Sequence, residues 1–353
     1  MVKLIVHVGH GKAGSTSIQQ SLQSAPLQLE GQKIRYLGLC LEHTRSATPK
    51  SWQRFNGSDV FFDQVKLETA HSELFEVLQA EMALMETEGG KTAIWSNEWI
   101  LERPAKVLRV LVDLAAKGHD IEIQVYLRRH DKWAISAYTQ WGLLHKTYPG
   151  PIIPFVEWVR RRGMAFARYH DVISPWALAF PKKLRVMNFD AAGDVTEHFL
   201  RINGITGVKA LKANVSPPTA TLVSQVVYNS SKAGHVLRAE FERLIKPTDQ
   251  WDETRSQVPP LDQLMPDAAF MAGFVAERAQ DIEKINALLA EGGEPPFSFD
   301  KPPRTFEHPS PWEMDQFLLK MIFAMSAEMA KMRGQIAALQ NATGAPISPT
   351  KPK

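Results

Sequence analysis

A short segment near the N-terminus, residues 7–19, has the composition of an anion-binding loop. It reads HVGHGKAGSTSIQ and joins an apolar run to an amphipathic helical pattern. Its glycines permit a tight turn with unshielded amides, and its three hydroxyl residues fall where the helix begins. Free amides and the positive end of a helix dipole attract phosphate. The predicted phosphate ligands are Gly11, Lys12, Gly14, Ser15, Thr16 and Ser17.

Two familiar phosphate motifs fit this loop only in part. Gly9, Gly11 and Gly14 match the G-x-G-x-x-G fingerprint of dinucleotide-binding folds, which also needs an acidic residue at the end of the second strand, about twenty residues on. Glu30 and Glu42 are the nearest acids, and neither follows a convincing strand. The spacing of Gly9 and Gly14 also begins a Walker A loop, but Ser15 stands where that motif needs its lysine.

The elements that must position this loop alternate between strand and helix. Four runs rich in β-branched residues, Lys3 to Val8, Lys91 to Trp95, Ile121 to Leu127 and Lys183 to Phe189, are apolar enough to be covered on both faces. Lys33 to Leu39 is a weaker candidate for an edge strand. Helical spacing separates these runs, so we predict an α/β fold with a parallel sheet flanked by helices. Pro104 suits the first turn of one of these helices.

The second half of the chain is helical in pattern. A proline-rich and charged stretch from Lys246 to Pro266 is typical of a long surface loop. The pattern predicts a core over residues 1–215, a helical part over 216–293 and a proline-rich linker over 294–311. An amphipathic helix over 312–340 and a disordered tail over 341–353 follow.

The last helix carries apolar residues at alternating steps of three and four, which is about three heptads. These residues are Leu318, Ile322, Met325, Met329, Met332, Ile336 and Leu339. Two interpretations stay open. The helix packs on its own chain, or it forms a short coiled coil in a homo-oligomer through residues 312–340.

Composition sets limits on partners and compartment. The 353 residues are 44% hydrophobic and 22% charged, with a formal net charge of +3, so no overall field favours nucleic acid or a membrane surface. Cys40 is the single cysteine, which excludes an internal disulfide and a multi-cysteine zinc site. No apolar stretch reaches the roughly 18 residues of a membrane span, and the N-terminal apolar run is too short for a signal peptide. We expect a cytoplasmic protein.

The segment Lys12 to Gln19 resembles the 5′-phosphosulfate-binding loop of sulfotransferases that use PAPS (3′-phosphoadenosine 5′-phosphosulfate). The likeness is greatest to bacterial and Golgi carbohydrate sulfotransferases, whose usual form is Lys-Thr-Gly-Thr-Thr. This chain departs from that form at Ala13 and Ser15, both small residues. The resemblance covers about residues 3 to 225 and implies a P-loop-type fold and PAPS as donor. It implies adenosine 3′,5′-bisphosphate as product and a carbohydrate or glycoconjugate as acceptor.

Later segments carry the same resemblance. The family binds the 3′-phosphate with an arginine at a strand end and a serine eight residues later, a spacing that Arg128 and Ser136 share. A guanidinium offers phosphate a forked set of donors. Asn214 and Ser216 resemble a further loop near that phosphate. Residues 185–194, together with the helix through Phe199 and Leu200, resemble the late strand and helix of the bacterial members. We expect the helical part over 216–293 to complete the acceptor side.

Sulfuryl transfer depends mostly on positioning and on fixed positive charge, so the resemblance gives Lys12 the central catalytic role, with no metal required. A hydroxyl acceptor also needs a general base, for which the candidates are Glu98, His10 and His145. Glu98 also resembles part of a Ser-Ser-Glu segment of the bacterial relatives. Three tryptophans are candidates for stacking on a ring, with core packing as the alternative; these are Trp99, Trp133 and Trp141.

Three functions are therefore open on sequence alone. The first is a PAPS-dependent sulfotransferase. The second is a nucleotide kinase or dinucleotide-dependent enzyme, which the absent Walker lysine and absent ribose carboxylate argue against. The third is a nucleotide-binding protein of the same fold without transferase activity.

Overall fold

A computed structural model describes residues 2–45, 48–163, 165–212, 219–237, 241, 261–303 and 309–343. The chain forms two compact units. The first comprises Met1–Ala137, Arg162–Ser216 and Asp267–Arg304, and the second comprises Tyr138–Arg161, Pro217–Pro266 and Thr305–Lys353. The first unit contains the sheet.

The sheet has five parallel strands in the order β2-β3-β1-β4-β5. In chain order they are β1 (Lys3–Val8), β2 (Ile34–Tyr36), β3 (Thr92–Asn97), β4 (Asp120–Leu127) and β5 (Leu184–Asn188). The four predicted strands and the weaker edge strand are confirmed, and the fold class is α/β with helices flanking a parallel sheet. Both neighbours of β1 lie in register with it, His7 opposite Ser96 on β3 and Gln124 on β4. The carboxyl ends of these three strands therefore meet at one edge.

The α-helices in chain order are α1 (Ser15–Gln23), α2 (Pro26–Gly31), α3 (Leu67–Thr87), α4 (Leu108–Ala116), α5 (His130–Tyr138), α6 (Phe155–Arg162), α7 (Tyr169–Ala179), α8 (Val195–Ile202), α9 (Thr219–Ser231), α10 (Leu261–Leu264), α11 (Ala268–Ala276), α12 (Ala279–Glu291) and α13 (Pro311–Thr343). The described residues also form two π-helical turns and one 3₁₀ turn. The π-helical turns are Val60–Gln64 and Thr139–Leu144, and the 3₁₀ turn is Pro104–Lys106.

One apolar cluster fixes the helix that follows the glycine-rich loop. Ile18 and Leu22 on α1 are fully buried against Ile5 of β1, Tyr126 of β4 and Phe199 of α8. Burying side chains of this size is worth about 1.5–3 kcal/mol each. The start of α1 is therefore held against the carboxyl edge of the sheet.

Three elements differ from their predicted bounds. Pro104 starts a separate 3₁₀ turn, and α4 begins only at Leu108. Residues 261–264, within the predicted long loop, form the short helix α10. The last helix continues to Thr343, three residues beyond its predicted end. Residues 246–260 of the predicted loop and 344–353 of the predicted tail lie outside the described residues.

Candidate anion-binding site

The glycine-rich loop turns through two left-handed residues before α1 begins. Lys12 has φ 69° and Gly14 has φ 86°, and the amide of Ala13 donates to the carbonyl oxygen of His10 at 3.1 Å. The carbonyl of Gly14 accepts the amides of residues 17 and 18, which closes the first turn of the helix. Among the described residues, the amides of Ser15 and Thr16 donate no backbone hydrogen bond. These two amides and the helix dipole give the start of α1 the hydrogen-bond donors and the positive potential that an anion site requires.

Two glycines are required by close packing around this loop. A Cβ atom on Gly9 would lie 2.3 Å from Ser15 Oγ and 3.2 Å from Glu98 Cα. A Cβ atom on Gly14 would lie 2.4 Å from Val195 Cγ1 and 3.2 Å from Phe189 Cε2. Side chains at either position would push the loop away from α8 and from the end of β3, so both glycines are needed for its path.

Aromatic side chains pack against the glycine-rich loop. Trp133 on α5 donates its indole N–H to the carbonyl oxygen of Gly11 at 2.7 Å. The His10 ring stacks on Trp133 with centroids 4.7 Å apart and meets the edge of Tyr169 at 4.8 Å. Trp133 is only 5% exposed, so it packs in the interior.

His10 is neutral at physiological pH in this setting. Burial, helped by the nearby His130, lowers the pKa of His10 to about 3. Its Nδ1 is buried and has no hydrogen-bond partner among the described residues. An imidazole with so low a pKa is a weak proton acceptor near pH 7, which disfavours His10 as a general base.

Glu98 directly follows β3, and its carboxylate accepts a hydrogen bond from a side chain on α1. Gln19 donates its side-chain amide to Glu98 Oε2 at 3.0 Å and also lies 3.2 Å from the carbonyl oxygen of Ser96. The Ser96 hydroxyl in turn hydrogen-bonds His7 Nδ1 at 2.7 Å. Gln19 lies on α1, which begins directly after the glycine-rich loop. Its hydrogen bond therefore fixes the carboxylate of Glu98 relative to that loop.

Two adjacent arginines at the end of β4 have different surroundings. Arg129 is 3% exposed, pairs with both carboxylate oxygens of Asp131 at 2.6 and 2.7 Å, and donates to the carbonyls of Ser298 and Lys301. Arg128 makes no ion pair among the described residues, and its Nε is buried without a hydrogen-bond partner. Burial lowers the pKa of Arg128. A half-buried guanidinium whose buried Nε–H is unsatisfied is a costly arrangement unless an anion completes it.

The loop and Arg128 meet at one aromatic ring. Phe189 directly follows β5, and its Cε2 lies 3.2 Å from the position that a Cβ on Gly14 would take. The Arg128 guanidinium lies 5.4 Å from the centroid of the same ring. The strand order reverses between β1 and β4, which makes this edge the topological switch point where open α/β sheets bind ligands. The sequence places these groups more than a hundred residues apart, and the fold brings them together.

The remaining predicted site residues are placed as follows. Ser136 lies half-buried on α5, the helix that follows Arg128. His145 belongs to the second unit, where it lines a cavity of about 250 Å³ with Trp141 and His235. Asn214 and Ser216 lie outside the described residues. Sequence reasoning assigned no role to Gln19, Phe189 or Tyr169, whose contributions depend on contacts between distant segments.

Comparison with known proteins identifies no relative by sequence. No protein-family model matches the chain, and no curated protein matches it. Two solved complexes of retinol dehydratase resemble it in structure. The complex with retinol and PAP is 13% identical over 81% of each chain, with a TM-score of 0.26. The complex with androsterone and the inactive cofactor PAP is 11% identical over 84% of this chain and 82% of that one, with a TM-score of 0.29.

TM-scores this low say nothing about the ligand or the activity of this chain. None of the described helices combines the length and the apolar character needed to cross a membrane. Within the described ranges, no three His, Cys, Asp or Glu side chains are grouped as metal ligands would be.

Proposed function

We propose that this chain transfers a sulfuryl group from PAPS to a hydroxyl or amine of an acceptor and releases adenosine 3′,5′-bisphosphate. The observation that carries the proposal is the meeting of two cationic sites at Phe189. One is the helix start after the glycine-rich loop, and the other is Arg128, which makes no ion pair within the described part of the chain. A nucleoside with a phosphate at each end has the charges that such a pair of sites would bind.

The first site fits the 5′ end of the donor. The amides of Ser15 and Thr16 offer two donors at the positive end of α1, and Lys12 adds a full charge within the turn. The buried Ser15 hydroxyl has no partner among the described residues, which is consistent with a polar ligand in this place. Ser17, 9% exposed in the same turn, completes the set of hydroxyls.

The second site fits the 3′ phosphate. In the part of the chain that the structure describes, the buried Nε of Arg128 has no hydrogen-bond partner, and the Arg128 backbone carbonyl accepts a hydrogen bond from the hydroxyl of Tyr169 at 2.9 Å. A guanidinium that is prepositioned and not neutralised by a carboxylate binds phosphate in a forked geometry. Ser136, Asn214 and Ser216 belong to the same proposed site through the family resemblance.

The chemistry assigned to the chain consists of charge stabilisation and one proton transfer. When bound, PAPS supplies the sulfuryl group and a phosphate leaving group. Lys12 and the amides at the start of α1 hold positive charge where the leaving phosphate develops negative charge. Glu98 accepts the acceptor's proton at Oε1, because Oε2 is held by Gln19. This fixed arrangement needs little reorganisation during the reaction.

The acceptor and compartment are further parts of the proposal. The resemblance of residues 12–19 to carbohydrate sulfotransferases supports a carbohydrate or glycoconjugate acceptor. The single cysteine, Cys40, supports a reducing compartment such as the cytoplasm.

The strand order argues against a dinucleotide enzyme. The common dinucleotide-binding sheet has the order 3-2-1-4-5-6, so its second strand lies beside the first and supplies the ribose-binding acid. Here β3 lies beside β1, and β2 is at the edge. The kinase alternative fails on Ser15, which stands in place of the Walker lysine.

A thermal-shift panel with adenosine 3′,5′-bisphosphate, ATP and NAD tests the ligand class. A ligand present at 100 times its Kd stabilises the folded state by about 2.7 kcal/mol. We expect the bisphosphate to raise the melting temperature and ATP and NAD to leave it unchanged. Stabilisation by NAD alone would refute the proposal. Transfer of labelled sulfate from PAPS to a panel of carbohydrates then separates an enzyme from a nucleotide-binding protein.

A further inference from the structure

The last helix, α13, presents an apolar seam to solvent. Its 33 residues correspond to about 50 Å at roughly 1.5 Å per residue. The seam residues are between 37% and 65% exposed; they are Leu318, Ile322, Met325, Met329, Met332, Ile336 and Leu339. A contiguous apolar stripe of this length on one helix is the hallmark of an interaction surface.

The seam has the period of a two-stranded coiled coil. Its alternating steps of three and four give a repeat of 3.5 residues and place residues at the a and d positions of successive heptads. The a positions hold Ile322, Met329 and Ile336, and the d positions hold leucine at both ends with methionine between. Within parallel coiled coils, Ile at a combined with Leu at d favours two strands over three or four.

The charges beside the seam match a second copy of the same helix. Glu328 occupies a g position, and Arg333 occupies the e position of the following heptad. In a parallel pair the g residue of one helix meets the e residue five places later on the other, so Glu328 would pair with the partner's Arg333 on both sides. In an antiparallel pair g meets g and e meets e, and these two residues could not pair. Among the described residues of one chain, the ion pair of Glu328 is a long contact of 3.9 Å with Lys331.

We infer that α13 binds a second copy of this chain as a parallel two-stranded coiled coil. The apolar seam forms the core, and Glu328 and Arg333 form the flanking ion pairs. The interface is closed by two-fold symmetry, because the same surface is used on both chains. A copy of this chain is the occupant that fits, because both the heptad pattern and the charge positions are complementary to themselves.

Light scattering and sedimentation of the full chain test the association. We expect the wild-type chain to be a dimer that dissociates on dilution. Met329→Asp puts a charge at a central a position and should abolish the dimer, since a carboxylate in an apolar core is strongly unfavourable. Ala330→Asp adds the same charge at the neighbouring, outward-facing b position and should leave the dimer intact. A wild-type monomer at every concentration, or a dimer insensitive to Met329→Asp, would overturn the inference.

Cysteine cross-linking tests the orientation and does not depend on dimer stability alone. In a parallel pair in register, Ile336→Cys brings two a-position thiols together, and mild oxidation should give a covalent dimer. Gly334→Cys, at the outward f position, should give none. Cys40, the native cysteine, is buried and serves as the background. Equal cross-linking of the two variants, or none in either, would contradict a parallel pair.

Charge exchange supplies an independent check of the pairing. Glu328→Lys and Arg333→Glu should each weaken self-association through like-charge contacts. When the two variants are mixed, every g-to-e′ contact becomes attractive, so they should form heterodimers in preference to homodimers. Random mixing would contradict the assigned contact between residues 328 and 333.

Discussion

The indole of Trp133 donates its N–H to the carbonyl oxygen of Gly11 at 2.7 Å. This bond ties the helix after β4 to the loop after β1, so the two proposed phosphate sites share one support. His10 completes the connection by stacking on the same indole at 4.7 Å. A change in this support is therefore expected to affect both ends of the nucleotide.

Removal of the Lys12 ammonium group should affect turnover more than binding. Lys12→Ala is expected to lower kcat by about 10²–10³, the typical loss of one electrostatic donor to a developing charge, while adenosine 3′,5′-bisphosphate still binds. Lys182→Ala is the matched control, because Lys182 is an exposed lysine with nearly the same backbone conformation, φ 64°. Labelled-sulfate transfer and calorimetric titration measure the two quantities. Unchanged transfer by Lys12→Ala would remove the lysine from the mechanism.

Truncation of the two arginines after β4 should have different effects on the free energy of unfolding. Arg129→Ala leaves Asp131 buried and unpaired and should lower the free energy of unfolding by about 3–5 kcal/mol. Arg128→Ala removes a half-buried cation that has no ion pair among the described residues, so the free protein should keep its stability. Urea unfolding gives both values, with the exposed Arg109→Ala as control. Equal destabilisation by the two variants would show that Arg128 is structural.

The Gly14 position should separate backbone strain from steric conflict. Gly14→Ala introduces a left-handed alanine, at about 1–2 kcal/mol, and a Cβ atom 2.4 Å from Val195 Cγ1. Gly118→Ala has a similar φ of 95° with no atom within 4 Å, so it reports the backbone cost alone. We expect Gly14→Ala to be the more destabilising and to lose nucleotide binding as the loop shifts. Equal losses of stability would mean that the loop adapts without strain.

Buried histidines should make the folded state sensitive to acid. Burial lowers the pKa of His7 to about 4, below its unfolded value of about 6.5. The unfolded chain therefore binds more protons between these values, so the stabilising contribution is complete above pH 6.5 and is lost as the pH falls towards 4. His7→Gln should reduce this pH dependence of urea unfolding, and the exposed His235→Gln should not. A wild-type curve that is flat over this range would contradict the proposed burial.

Glu98 and Gln19 should act as a pair. Glu98→Gln is expected to lower kcat by about 10²–10⁴ with nucleotide binding retained, as for loss of a general base. Gln19→Ala releases Glu98 Oε2 and should lower kcat less, with a changed pH profile of turnover that the conservative Gln19→Asn restores in part. If His10→Gln has the larger effect on kcat, the base has been assigned to the wrong residue.

The sheet and the loop could be predicted because their signals are local. The apolar runs at β1, β3, β4 and β5 are short, rich in β-branched residues and separated by helical spacing, and parallel pairing follows from that alternation. The glycines of residues 9–14 indicate a turn whatever the partner segments are. Local pattern was also sufficient to place Glu98 at a strand end.

The distinction between Arg128 and Arg129 could not be predicted, because it is made by distant segments. The carbonyls of residues 298 and 301 occupy Arg129, and Phe189 after β5 lies under Arg128. The hydrogen bond from Gln19 to Glu98 and the stack of His10 on Trp133 likewise join segments far apart in the chain. Such contacts depend on how the strands are ordered, which the pattern of a single segment does not contain.

The proposal that Arg128 binds the 3′ phosphate can be tested by calorimetry. The measurement compares the binding of adenosine 3′,5′-bisphosphate and of adenosine 5′-monophosphate to the wild-type chain and to Arg128→Ala. The two ligands differ only in the 3′ phosphate, so their ratio of Kd values isolates its binding site. We expect the wild-type chain to bind the bisphosphate much more tightly than the monophosphate, and we expect this preference to disappear in Arg128→Ala. Both proteins should bind the monophosphate equally. A preference retained in full without Arg128 would contradict it.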